Sequence, residues 1–249
     1  MPAQRLNDSV LGALERPTLA WLARRLPIWV TPDHLTGLGL AGALTAAAGY
    51  VASHSSLQWL WLACAGLALN WFGDSLDGTL ARLRCTQRPR YGFFVDHTSD
   101  LFAQLAIFLA LGISPCARFA IACLGLIAFL AAFVYSLICV EVRDTLRITY
   151  FRFGPTEIRA LLIAGNLITL EAGVVDVSQW VAPLIRFGPV TIYEIVILAL
   201  FATMVPGLAL LALRERRMLA FEDPPPPVAA VRTASRPSPT AVAVRATRH

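Results

Sequence analysis

The chain has 249 residues, of which 57% are hydrophobic and 15% are charged, and its mean hydropathy is +0.62. This composition is too apolar for a soluble domain of this size and is typical of a membrane protein. The formal net charge is +5, and the chain contains arginine but no lysine. No cluster of basic residues is interleaved with stacking aromatics, so we expect no nucleic-acid partner. The positive charge instead indicates membrane topology and attraction to anionic lipids.

Residues 1–30 are predicted to form an amphipathic segment at the cytoplasmic surface of a membrane. Leu6, Val10, Leu11 and Leu14 fall on one stripe of a helix. A helix of this kind lies in the membrane interface with its apolar stripe buried against the lipid chains.

Six apolar runs are long enough to cross a bilayer as helices. They are Leu35–Ala52, Leu57–Phe72, Phe93–Ile113, Phe119–Val140, Ala160–Val175 and Val190–Leu213. Thr31 and Pro32 are a favourable cap and first residue for the first helix, whereas Asn166 and Glu171 interrupt the fifth run. The predicted fold class is an all-α polytopic membrane protein with six transmembrane helices and an N-terminal amphipathic interfacial helix.

The distribution of arginine predicts the orientation of these spans. An even number of spans places both termini on the same side as the loops after spans two and four. All arginines except Arg118 and Arg186 fall on that side. The positive-inside rule therefore predicts that both termini are cytoplasmic in a multi-pass protein of the inner (plasma) membrane.

Residues 31–221 are predicted to form one membrane domain. At Glu222 the composition changes, and a proline run at 224–227 leads into a segment rich in Ala, Pro, Thr and Arg. Residues 222–249 are predicted to form a disordered cytoplasmic tail. The sequence shows no Walker loop or Rossmann fingerprint, and we expect no second, soluble domain.

Four aspartates adjoin two of the apolar runs: Asp74 and Asp77 follow the second run, and Asp96 and Asp100 lie at the start of the third. On helices, the first two share a face, as do the last two. A charged residue at bilayer depth costs about 2.5–3.5 kcal/mol, and grouped acids also repel one another. Helix-end aspartates at a membrane boundary are the alternative, but bound cations explain the paired spacing better. Carboxylates suit Mg²⁺ or Mn²⁺, and four of them can hold two ions that clamp a phosphoryl group.

The segment that contains these acids resembles the signature of the CDP-alcohol phosphatidyltransferases, D-x2-D-G-x2-A-R followed by G-x3-D-x3-D. The fixed residues of that signature are all present as Asp74, Asp77, Gly78, Ala81, Arg82, Gly92, Asp96 and Asp100. The spacer Leu83–Tyr91 is one residue longer than the usual spacer, which we interpret as a loop insertion.

The resemblance implies roles for the residues of the signature. Asp74, Asp77 and Asp96 are expected to ligate metal. Asp100 is expected to help hold the second of two Mg²⁺ or Mn²⁺ ions and to remove the proton of the acceptor alcohol. The remaining residues of the signature are expected to bind the CDP-linked substrate: Gly78, Ala81, Arg82 and Gly92. Gly78 and Ala81 can alternatively serve helix packing, and Arg82 can alternatively be a topology anchor. The family also implies a homodimer.

A second segment, Arg152–Arg159, is similar to the Gly-Pro-x-Glu stretch of choline and ethanolamine phosphotransferases in the same superfamily. Asp96 and His97 together are similar to the Asp-His pair of those enzymes. A capped helix start at Glu157 explains the second segment equally well. Candidate residues for an acceptor site are Arg143, Arg147, Glu157 and Arg159, and loop anchoring is an equal alternative for the arginines.

The predicted function is transfer of a phosphatidyl group from CDP-diacylglycerol to a small alcohol, with release of CMP. One alternative is transfer of a phosphoalcohol from CDP-choline or CDP-ethanolamine to diacylglycerol, which the Asp-His and Gly-Pro-Thr-Glu features favour. A third hypothesis is a cation transporter that uses the four acids as an ion site. A transporter has no need for the small residues beside the acids, and CMP release distinguishes it from an enzyme.

Overall fold

A computed structural model describes residues 4–6, 12–143, 145–147, 154–177 and 190–224, with the backbone alone described at 4–6, 12–14 and 145–147. Seven α-helices lie in these ranges. They are α1 (Gly12–Arg25), α2 (Pro32–Ala52), α3 (Leu60–Leu83), α4 (Pro89–Ile113), α5 (Phe119–Arg143), α6 (Pro155–Ala172) and α7 (Ile192–Glu222). A short 3-10 helix, Leu57–Trp59, precedes α3.

The fold also contains two short strands that the sequence did not predict. Strand β1 (Gln4–Leu6) pairs in parallel with β2 (Thr145–Arg147), with Gln4 opposite Thr145. Within the described residues, the predicted N-terminal helical segment is a helix over α1, whereas Leu6 of its predicted stripe lies in β1. Such a pairing joins distant parts of the chain, and no local hydrophobic period reveals it.

Four described helices are long and apolar enough to cross a membrane: α2, α4, α5 and α7. They contain the first, third and fourth predicted spans and all but the first two residues of the sixth. Most of the second predicted span lies in α3 and most of the fifth in α6, and neither helix belongs to this group of four. Both helices carry ionisable groups, such as Asp74 in α3 and Arg159 in α6, which lower their mean hydropathy. The protein is thus a multi-pass helical membrane protein, and the number of six spans stays a prediction.

Small residues bring α2 and α3 into close contact. A Cβ atom at Gly42, Gly49, Gly66 or Gly73 would overlap the backbone of the facing helix. Close approach through small residues is how membrane helices gain van der Waals contact and interhelical hydrogen bonds. The Asn70 side chain uses this proximity to donate a hydrogen bond of 2.9 Å to the Gly39 carbonyl. This packing fixes the position of the α3 turn that follows, which carries Asp74.

Helix starts follow the capping residues that the sequence contains. Thr31 accepts a hydrogen bond from the backbone N–H of His34, and Pro32 is the first residue of α2, so the predicted cap is confirmed. Likewise α6 begins at Pro155, where the Glu157 carboxylate accepts a hydrogen bond of 2.9 Å from the Gly154 N–H.

The chain divides into two compact units, Met1–Leu208 and Ala209–His249. In the first unit, α1 packs on the second half of α3 through a buried cluster that includes Leu19, Ala23, Leu76 and Leu80. A larger buried cluster joins α2, α3, α4, α6 and α7. The described part of the second unit is the end of α7 and the two residues after it. Residues 225–249 of the predicted tail lie outside the described residues.

Candidate active site

Three of the four predicted acids meet in space. Asp74 of α3 and Asp96 and Asp100 of α4 each offer a carboxylate oxygen, and these oxygens lie within 4.8 Å of one another. The spacing of four residues places Asp96 and Asp100 on one face of α4, toward Asp74. Three carboxylates at this separation repel one another unless a cation lies between them. An all-oxygen set of this kind fits a hard divalent cation such as Mg²⁺ or Mn²⁺.

The fourth acid, Asp77, is not part of this group of three, although it lines the same cavity. Its Oδ2 accepts a hydrogen bond of 2.6 Å from the Thr36 hydroxyl of α2, and its Oδ1 accepts one from the Gly78 N–H. These bonds hold the Asp77 carboxylate toward α2. The shared face that the sequence predicts for Asp74 and Asp77 therefore does not bring their carboxylates to one point.

Arg159 of α6 forms an ion pair with one of these acids. Its Nη2 lies 2.7 Å from Asp74 Oδ2, and its side chain is 4% exposed. A buried ion pair of this kind is strongly sensitive to loss of either partner, since the remaining charge is left uncompensated. The three clustered acids carry more negative charge than Arg159 alone can balance.

His97 and Glu157 also line the cavity. The His97 ring stacks on Phe93 at a centroid distance of 4.0 Å, and its Nδ1 is 3.4 Å from Asp96 Oδ2. The hydrogen bond from the Gly154 N–H to Glu157 Oε2 caps α6, so capping is one role of Glu157. Its position in the cavity lining is also compatible with the predicted acceptor-binding role.

The other predicted site residues divide into two groups. Gly78 and Arg82 line the cavity, and Arg82 Nη2 donates a hydrogen bond of 3.1 Å to the Thr79 hydroxyl. Ala81, Gly92 and Arg143 are not among the described residues that line it. The side chain of Arg147 lies outside the described residues.

The cavity has a volume of about 980 Å³ and its lining changes in character along the helices. On α4 the lining begins with Asp96 and Asp100 and continues at Phe108, which is about 12 Å further along the helix axis at 1.5 Å per residue. Gly125 of α5 and Ile197 of α7 contact this same Phe108 region and are also lining residues. The cavity therefore joins a charged part to an apolar part within the first unit.

Sequence reasoning missed two residues that this geometry brings to the site. Thr36 of α2 contacts Asp77, and Glu15 of α1 contacts side chains of both α3 and α6. Neither residue belongs to a recognisable motif. A hydroxyl or an acid on an amphipathic helix carries no local signal of such a distant contact.

The chain is similar to known proteins over most of its membrane region. The family described as CDP-alcohol phosphatidyltransferase matches residues 29–213. Cholinephosphotransferase 1 of Homo sapiens is 30% identical over 123 residues, which are 46% of this chain and 30% of that protein. The phosphatidylinositol phosphate synthase of Cutibacterium acnes is 38% identical over 79 residues, which are 32% of this chain and 36% of that protein. The matched segments thus span about a third of the length of each of these relatives.

Proposed function

Because the chain belongs to the CDP-alcohol phosphatidyltransferase family, we propose that it transfers a phosphatidyl group from CDP-diacylglycerol to a small alcohol with release of CMP. The observation that carries this proposal is the cavity that joins the acids to an apolar lining. A CDP-lipid has the same division, with a charged pyrophosphate attached to two hydrocarbon chains. Burial of those chains against Phe108 and Ile197 is favourable, at about 25 cal/mol per Å² of apolar area.

We propose that the acids hold two divalent ions, with Asp74, Asp96 and Asp100 as ligands and Asp77 joining them when it turns from Thr36. When bound, Mg²⁺ or Mn²⁺ would neutralise the pyrophosphate and polarise the phosphorus that is attacked. The three clustered carboxylates support this proposal, since their repulsion is relieved by a cation. Arg159 limits that repulsion at Asp74.

The chain's own residues supply the remaining steps of the proposed reaction. Asp100 takes the proton of the acceptor hydroxyl, whose oxygen then forms a bond to the phosphorus of the phosphatidyl group. The bond from that phosphorus to the oxygen of CMP breaks, and CMP leaves with the electron pair. Gly78 allows the nucleotide to approach α3, and Arg82, which lines the cavity, is placed to contact a phosphate oxygen. Ala81, Gly92 and Arg143 are not among the described residues that line the cavity, so their predicted roles rest on the sequence alone.

A second candidate function is transfer of phosphocholine or phosphoethanolamine from a CDP-alcohol to diacylglycerol. The specific observation in its favour is His97, which lines the cavity next to Asp96. A histidine beside the acids offers a second group that could remove a proton. In this reaction diacylglycerol is the acceptor, and its chains would occupy the same apolar lining.

We extend the proposal to topology and assembly. Six spans, cytoplasmic termini, a plasma-membrane location and a homodimer are the arrangement that the arginine distribution and the family favour. The domain limits of 1–30, 31–221 and 222–249 belong to the same proposal.

One experiment tests the function and separates the candidates. The purified protein with Mn²⁺ is given CDP-diacylglycerol with free and phosphorylated small alcohols, or CDP-choline and CDP-ethanolamine with diacylglycerol. CMP release and the mass of the lipid product are measured, with Asp100→Asn as the inactive control. Product from CDP-diacylglycerol supports the first candidate, and product from CDP-choline or CDP-ethanolamine supports the second. No CMP release with any donor would contradict both and favour the transporter.

A further inference from the structure

Glu15 of α1 forms a junction between three helices at the cavity. Its Oε1 accepts hydrogen bonds from Trp71 Nε1 at 2.8 Å, from the Ser75 hydroxyl at 3.0 Å and from the Thr156 hydroxyl at 3.1 Å. Trp71 and Ser75 belong to α3, and Thr156 belongs to the first turn of α6. A single carboxylate oxygen thus connects α1 to the two helices that carry Asp74 and Arg159.

The contacts of Glu15 lie beside the ion pair of the acid cluster. Ser75 is the residue after Asp74 on α3, and Thr156 is three residues before Arg159, close to one turn, on α6. Asp74 and Arg159 are themselves joined at 2.7 Å. Helices α3 and α6 are therefore bridged twice at the same level, once directly by an ion pair and once through Glu15.

Helix α1 is also part of the cavity wall. Glu15, Arg16 and Leu19 line the cavity, and Leu19 with Ala23 packs against Leu76 of α3. These apolar contacts hold α1 against α3. Of the hydrogen bonds described for α1, the one from Thr156 to Glu15 joins this helix to α6.

We propose that Glu15 is a positioning residue of the active site, which fixes the separation of α3 and α6 so that Arg159 meets Asp74 and α1 closes the charged part of the cavity. The proposal rests on the proposed function for its kinetic consequences. Glu15 acts through hydrogen bonds that its carboxylate accepts, and its negative charge is not what the position requires. An amide oxygen can accept the same bonds, so glutamine should replace it.

The test compares Glu15→Gln with Glu15→Leu, which keeps a large side chain at this position but removes the acceptor. We expect Glu15→Leu to lower kcat/KM for the CDP-donor by about 10- to 100-fold, because a displacement of about 1 Å in a positioned site has effects of this size. Glu15→Gln should retain most of the wild-type value. Ser75→Ala with Thr156→Val removes two of the donors and should resemble Glu15→Leu.

A spectroscopic readout makes the test independent of activity. The fluorescence emission of Trp71 is obtained as the difference between each protein and its Trp71→Phe counterpart. Its emission wavelength reports the hydrogen bond of the indole N–H. It should shift in Glu15→Leu and stay near the wild-type wavelength in Glu15→Gln. Asp33→Leu is the matched control, because Asp33 joins α2 to Arg88 at 2.6 Å without lining the cavity.

The outcomes separate this proposal from the proposed function. If the wild type releases no CMP from any donor, the function fails, and the Trp71 signal still decides whether the junction exists. If the wild type is active and Glu15→Leu matches it in kcat/KM, the positioning role is wrong. A loss in Glu15→Gln as large as that in Glu15→Leu would also overturn it, since the charge and not the acceptor would then matter.

Discussion

The buried acid Glu194 and the group of three aspartates lie near opposite ends of α4, and they differ in how their charge is balanced. Beyond the end of α4, Glu194 of α7 is 1% exposed and its oxygens accept four hydrogen bonds. These come from the Arg118 N–H and Nε at 2.8 Å, from Arg118 Nη2 at 3.0 Å and from the Thr191 N–H at 3.2 Å. In the first half of α4, Asp96 and Asp100 lie with Asp74 within 4.8 Å, and Arg159 forms an ion pair with Asp74.

The difference indicates which acids support the fold and which are available for a ligand. The hydrogen bond to Glu194 raises the pKa of the Arg118 guanidinium above its ordinary value. A raised pKa of a cation means that its stabilising effect is complete below the ordinary pKa of arginine, and thus at every physiological pH. The Glu194 pair is complete within the chain. The aspartate group instead brings three carboxylates to one point, an arrangement that a bound divalent cation can hold.

Removal of divalent metal should have the largest effect on the aspartate group. We expect EDTA to abolish CMP release and added Mn²⁺ or Mg²⁺ to restore it, because a cluster of carboxylates cannot itself neutralise a pyrophosphate. The measurement is CMP release with and without chelator. Full turnover in EDTA would contradict the two-metal proposal. The aspartates, like Glu194, would then have no need of a bound metal.

Replacement of the proposed base should be nearly as severe. Asp100→Asn is expected to lower kcat by about 10²–10⁴-fold, the range typical of general-base catalysis. Binding of the CDP-donor should fall much less, because Asp74 and Asp96 remain. Donor affinity by titration calorimetry and kcat by CMP release are measured on the same preparation. Equal losses in both would indicate that Asp100 acts only as a ligand.

Replacement of Arg118 in the Arg118–Glu194 pair should lower the stability of the protein without lowering kcat. Arg118→Met leaves Glu194 buried without its main partner, and we expect a loss of about 1–3 kcal/mol in the free energy of unfolding. Arg118 is 42% exposed, so water partly compensates for the change. Thermal unfolding in detergent measures the loss, with the exposed Arg90→Met as control. Equal shifts in both variants, or a loss of kcat in folded Arg118→Met, would contradict the structural role of the pair.

The sequence predicted those parts of the site that depend on local spacing. The i, i+4 pair of Asp96 and Asp100 and the cap at Thr31 follow from helix geometry alone. Contacts between distant residues were not predictable from one sequence. Thr36 meets Asp77 across 41 positions, and Glu15 meets Thr156 across 141. The packing of the helices determines which residues Thr36 and Glu15 contact, and no local sequence pattern predicts that packing.

The same limit applies to the fold. Apolar length predicted α2, α4, α5 and α7 as spans, since each of these helices is apolar over most of its length. In α3 and α6, charged residues such as Asp74 and Arg159 replace apolar ones and lower the mean hydropathy, so the prediction that these two helices span the membrane stays a prediction. The pairing of β1 with β2 depends on contact between distant segments and was missed for the same reason as the contacts of Glu15.

The smallest expected effect concerns donor binding and compares two positions of α3, Gly78 and Ala81. The sequence assigns both Gly78 and Ala81 to the nucleotide, whereas Gly78 alone of the two lines the cavity. Gly78→Leu should weaken binding of the CDP-donor by about tenfold, equivalent to about 1.4 kcal/mol, because its side chain would occupy the space of the nucleotide. Ala81→Leu, the matched control on the same helix, should bind the donor like the wild type. Titration of CDP-diacylglycerol with Mn²⁺ in the absence of acceptor measures both affinities. If Ala81→Leu loses affinity and Gly78→Leu does not, the nucleotide lies against a different face of α3 from the one that borders the acids.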